Sequence, residues 1–139
     1  MCLNSLLSVD SYPAEGIGYK VGRIHDNAFY SLFNTSLPLQ EWIEAQNFKL
    51  STEAGFYPRD FYQSGFHVFL ELEDARAYHQ LLKNFYMSYE TKVQSLHRTV
   101  VKVKYKNVIA AGLQAVDSKD DAICIVARDM FIEGVVECA

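Results

Sequence analysis

Between Ser64 and His79 the hydrophobic period changes within a few residues, and that change constrains the fold more than any other feature of the chain. Phe66, Val68 and Leu70 alternate with His67, Phe69 and Glu71, which is the period of a strand with one wholly apolar side and one mixed side. From Glu73 onward the period lengthens, and Ala75, Tyr78, Leu82 and Phe85 recur at helical spacing. Glu71, Glu73 and Asp74 stand at the helix entry, where carboxylates complement the positive end of the helix dipole. A strand that runs directly into a helix predicts that the helix packs back on its own strand. Gly65, immediately before the strand, predicts a conformation or a close approach that a side chain would disturb.

Other strands follow from the same alternation. Tyr19 to His25 and Ala28 to Phe33 are β-rich runs separated by Asp26-Asn27, which predicts a hairpin with Tyr19, Val21 and Arg23 on one side and Lys20 and Ile24 on the other. Thr99 to Tyr105 places Val101, Val103 and Tyr105 inward and Lys102 and Lys104 outward, with Lys106 in phase. Lysines in such a row read as protection of a sheet edge. Val108 to Leu113 and Ala122 to Ile132 add two more strands, the second apolar on both sides until Arg128 and therefore interior, with Cys124 as a buried small hydrophobe. Pro38 predicts the start of a short amphipathic helix with Trp42 as a core anchor, and Met1 to Gly18 reads as an irregular arm. The expected fold is α+β: a single domain over 1–139, with an antiparallel or mixed sheet of about five strands and one or two helices on one face.

Composition excludes more than it assigns. A net charge of −4 argues against binding duplex nucleic acid across the surface, which requires a concentrated excess of Lys and Arg. The cysteines at positions 2, 124 and 138 have no metal-type spacing and fit a reducing compartment. With no secretory pattern at the start and no apolar run near the roughly twenty residues that span a bilayer, a cytoplasmic, soluble protein is expected. Glycine-rich phosphate loops, nucleophile elbows and paired metal histidines are missing from the sequence, so no cofactor and no metal is expected. Cys2 has nothing nearby in sequence that lowers a thiol pKa or supplies a base, and is expected to be dispensable.

The candidate binding residues are Tyr57, Arg59 and Tyr62, in the aromatic stretch from Asn47 to Ser64, together with Lys20 and His67. Long, aromatic connections often carry function, and Tyr and Arg are the side chains that anchor partners. Against this stands the simpler reading in which the rings fold down on the core, His67 is a packing residue and Lys20 is a solvated charge.

The opening Met1-Cys2-Leu3, then Gly18-Tyr19-Lys20-Val21, Tyr30-Ser31, Gly65-Phe66-His67-Val68-Phe69 with Glu73-Asp74-Ala75, and Val100-Val101-Lys102-Val103 resemble a family of small uncharacterised phage, prophage and bacterial proteins. The resemblance implies a mobile-element origin and a non-catalytic protein that acts stoichiometrically on a host protein or sequesters a small nucleotide. Self-association is compatible with it. A fainter likeness, carried by Tyr19-Lys20, Phe66-His67 and Glu133 in that order, is to the ADP-ribosyltransferase fold, which implies an NAD-using enzyme as the alternative. Arg23 without the expected glycine and the missing Ser-Thr-Ser strand depart from that pattern.

Overall fold

Asp26 and Asn27 adopt φ of 50° and 60°, the left-handed pair that a two-residue hairpin turn requires because its twist matches that of the flanking strands. The predicted hairpin forms around them in the computed structural model, which describes residues 3–32, 35–46, 51–54, 60–83, 97–116 and 120–136. In chain order the elements are β1 (Ser5–Leu7), a 3-10 turn (Val9–Ser11), β2 (Glu15–His25), β3 (Ala28–Tyr30), β4 (Ser36–Pro38), β5 (Trp42–Glu44), β6 (Ser51–Ala54), β7 (Asp60–Gln63), β8 (Phe66–Phe69), α1 (Leu72–Leu82), β9 (Arg98–Ala115) and β10 (Asp121–Val135). One eight-stranded sheet holds all the strands except β6 and β7, which pair with each other. Every pairing among the described residues is antiparallel. The α+β class stands, with a larger sheet than the expected five strands and with α1 as the α-helix of the described residues. No helix among the described residues is long and apolar enough to cross a membrane.

The sheet closes on itself. β9 pairs with β10 on one side and β2 on the other, and β8 bridges β10 and β2, the latter through Tyr19 opposite Phe69. Closure depends on the inward side of β2, where Gly18 and Gly22 alternate with Lys20. A Cβ on Gly18 would stand 2.3 Å from Val68 Cγ1 and 2.7 Å from the Phe69 carbonyl oxygen, and one on Gly22 would stand 2.3 Å from the Phe29 ring. Those distances lie inside van der Waals contact, so bare backbone lets β8 and Phe29 approach. The enclosed core holds Phe29, Val68, Val101, Val103, Tyr105, Ile125, Met130 and Ile132, all buried, which places Val101, Val103 and Tyr105 as the alternation predicts.

α1 lies on the outside of this closed sheet. Ala75, Tyr78 and Leu82 form its buried side, and the Tyr78 ring sits 5.4 Å from Phe69 on the preceding strand. The same apolar cluster takes in Val21 and Val100, so the helix covers β8 and also spans to β2 and β9. Buried Arg98 donates from Nη1 to the Leu82 carbonyl at 2.6 Å, where a cation meets the negative end of the helix dipole.

Five expectations are corrected, the first being that Thr99 to Tyr105 and Val108 to Leu113 are two strands: they are one, β9. The segment after Pro38 is strand, turn and strand: β4 ends at Pro38, Gln40 turns with φ of 61°, and β5 pairs Ile43 with Met130. A helix of under two turns has too little internal hydrogen bonding to compete with a sheet partner. Ile43 packs against the core, whereas Trp42 is 45% exposed and is not an anchor. The lysine row lies on a central strand, since β9 has partners on both sides, so it protects no edge. The first eighteen residues contribute β1 and the start of β2, and the Gly16-Ile17-Gly18 segment is strand. Finally, part of the aromatic segment is ordered as the β6–β7 pair.

The close approach expected at Gly65 is present: a Cβ there would meet the Ala127 carbonyl oxygen at 2.7 Å and Val126 Cγ1 at 2.9 Å. Gly65→Val is expected to destabilise the protein by about 1–3 kcal/mol, the usual cost of overpacking, read from the midpoint of urea unfolding. An unchanged midpoint would contradict this account of how β8 reaches β10.

Candidate functional site

Lys20, expected to be solvated, is 9% exposed. Its place opposite Val101 on the inward side of β2 explains this, and Nζ donates to the His67 carbonyl at 2.5 Å. His67 continues the chain of contacts: Nε2 lies 2.8 Å from the Tyr62 hydroxyl, which accepts from the Leu3 amide at 3.2 Å. Tyr62 is buried with Leu3, Ala110, Cys124 and Val126. The structure thus brings together Lys20, Tyr62 and His67 of the five candidate residues. Tyr57 and Arg59 lie outside the described residues, as does Cys2.

The electrostatics of this cluster suit structure better than chemistry. Burial pushes the Lys20 ammonium from 10.5 down to about 8, a fall that the neighbouring Cys124 opposes. Burial, and after it the Lys20 charge, pushes His67 down to about 3, against a hydrogen bond to the Gly65 backbone. A hydroxyl that accepts from Leu3 has its own proton free for Nε2, so His67 is neutral with its other nitrogen protonated. An imidazole this weakly basic is a poor general base near neutral pH, where the effective pKa lies close to the working pH. Cys124, pushed up by burial to about 12, remains a thiol. The cluster ties the start of the chain and β7 to β8 and β2.

Glu133 is not part of it. The carboxylate lies 3.7 Å from Lys102 Nζ and 3.6 Å from Lys104 Nζ, on the outward side of β9, while Lys20 and Val101 share the inward side. Of the positions that carry the transferase likeness, Lys20 and His67, joined by a hydrogen bond, therefore lie apart from Glu133, while Tyr19 lines the same outward hollow as Glu133.

The outward side holds a second arrangement, which sequence reasoning missed. Across β2, β9, β10 and β5 the register sets Ile17 opposite Lys104, Lys104 opposite Phe131 and Phe131 opposite Trp42. At the ordinary strand spacing this row runs for about 14 Å. Ile17 and Trp42 are 49% and 45% exposed at its ends. The Trp42 and Phe131 rings stand 5.7 Å apart, Lys106 Nζ lies 4.2 Å over Trp42, and Lys104 Nζ lies 5.2 Å over Phe131. Such cation–ring contacts hold the lysines over the rings by about 0.5–1 kcal/mol each at exposed sites. Of the neighbouring carboxylates, Asp129 accepts from Asn107 at 2.6 Å and Glu44 pairs with Arg128 at 3.5 Å, while Glu133 lies 3.6 Å from Lys104 Nζ and Glu15 stands opposite Lys106. The alternating lysines and the aromatic Phe131 were the available signal. Its meaning depended on which strands lie on either side of β9.

Compared with known proteins, the chain matches no family model, none of the curated proteins and no solved structure. No group of three or more metal-type side chains is gathered among the described residues.

The buried cluster makes a testable demand on pH. Because His67 has its pKa lowered in the fold, the unfolded chain binds the extra proton, so this group's contribution to stability is intact above about pH 6.5 and is lost as the pH falls toward 3. Lys20, lowered from 10.5 to about 8, adds stability that rises with pH across that interval. His67→Gln is expected to remove the rise in unfolding free energy that His67 contributes between about pH 3 and 6.5, and Lys20→Met the rise that Lys20 contributes between about pH 8 and 10.5, relative to the parent. Parallel curves for parent and variants would refute the burial of these groups.

Proposed function

We propose that this is a non-catalytic binding protein that acts stoichiometrically on a partner protein through the Ile17–Lys104–Phe131–Trp42 face. The observation that supports the reading best is the exposed Trp42 beside Phe131, each ring carrying a lysine on the outer side of the sheet. Rings at the centre of an interface supply most binding energy, and lysines at their edge select partners of opposite charge. The partner is accordingly a segment that alternates acidic with large apolar side chains. A neutral, poorly basic His67 and an inert Cys124 offer little to catalysis and favour binding over the NAD-using alternative. The resemblance to small phage and bacterial proteins fits a blocking role of this kind.

Selection from a displayed random-peptide library is expected to return segments of that alternating character. Titration of one such peptide should saturate at one per protein and leave it chemically unchanged. Trp42→Ala and Phe131→Ala should each weaken binding by about 1–3 kcal/mol, with little change in melting temperature for Trp42→Ala. Recovery of basic peptides, or affinity that survives both substitutions, would count against the proposal.

A further inference from the structure

Beyond the aromatic row, the outward side of the sheet ends in a cavity of about 290 Å³ lined by Tyr19, Leu72, Lys102, Glu133, Val135 and Val136. The register of β10 on β9 slips between Ile132 and Gly134, and bulges of this kind re-aim the side chain they carry. The slip is held from outside the strand: the Gln40 amide donates to the Ile132 carbonyl at 3.0 Å, and the Gln40 side chain donates to the Glu133 carbonyl. Glu133 is thereby turned toward Lys102 and Lys104 at ion-pair distances of 3.7 Å and 3.6 Å. Both exceed a hydrogen bond, so the carboxylate and the ammonium keep open bonding positions. Nothing lies within 4 Å of where a Cβ on Gly134 would stand, and Val135 is 51% exposed, so one side of the cavity is open.

We propose that this cavity binds a free α-amino acid with an aliphatic side chain. The ligand's ammonium pairs with Glu133, its carboxylate with Lys102, and its side chain lies on Leu72, Val135 and Val136. A zwitterion complements both signs of charge at once, its ammonium the Glu133 carboxylate and its carboxylate Lys102. Neither Trp42 nor Phe131 lines the cavity; the site adjoins the proposed docking face through the Glu133–Lys104 pair without using its rings.

Isothermal titration of the full chain with L-leucine is expected to give saturable one-to-one binding with a Kd of about 1 mM or tighter. Removing either charge from the ligand, with 4-methylpentanoate or 3-methylbutylamine, should weaken it at least about tenfold, the scale of one lost charge-assisted hydrogen bond. Glu133→Gln and Lys102→Met should do the same at an unchanged melting temperature. Val135→Phe, at an exposed position, should block the cavity without adding or removing a charge. Trp42→Ala should lose the selected peptide and keep leucine, which separates a failure here from a failure of the docking face. Absence of heat up to about 20 mM leucine, twentyfold above that Kd, or equal affinity for 4-methylpentanoate, would overturn the proposal.

Discussion

Closure of the sheet rests on the contact between β2 and β8, where two strands approach with only hydrogen between their facing surfaces. Gly18 sets that distance, since any side chain there would stand inside contact range of Val68 and of the Phe69 backbone. With β8 seated, β10 gains a second partner at its first half, and β9 pairs with β10 and β2 along one continuous strand. The enclosed apolar residues then have strands on every side. Phe29 completes the interior by lying over Gly22, a position that only a glycine leaves open.

The same closure turns the chain's charged residues to different ends. Lys20, between the two glycines, is buried and takes a backbone carbonyl as its acceptor, which fixes His67 and, through it, Tyr62 and Leu3. A buried ammonium is costly unless it is hydrogen-bonded, and this one depends on strand β8 for its acceptor. Lys102, Lys104 and Lys106, one strand away and on the other side of the pleat, remain in water and lie over rings or beside Glu133. Residues of one chemical type thus serve the core at one register and the surface at the next.

Much of the fold was legible because its signals are local. The turn chemistry of Asp26-Asn27, the alternation of Val101, Val103 and Tyr105, and the change of period after Leu70 each need only neighbouring residues to act, and each appears where the pattern places it. The segment after Pro38 misled because three apolar positions in seven satisfy either period, and the choice was made by Met130 and Phe131 on a strand some ninety residues away. The lysine row misled for a related reason: edge and centre differ only in whether a second strand is present. Of the candidate site, the types of the important side chains were visible in Lys20, Tyr62 and His67, but not that they meet.

What the sequence by itself determined is therefore the β2–β3 hairpin, the strand-to-helix passage from β8 into α1, and the apolar sides of β9 and β10, because side-chain alternation and turn residues act within a few positions along the chain. Tertiary structure alone decided that β9 is central, that Lys20 is buried while its neighbours on the adjacent strand are not, and that Trp42, Phe131 and Glu133 come to one surface. Those outcomes depend on register between segments far apart in the chain, and a shift of one residue in any pairing would send each of these side chains to the opposite face.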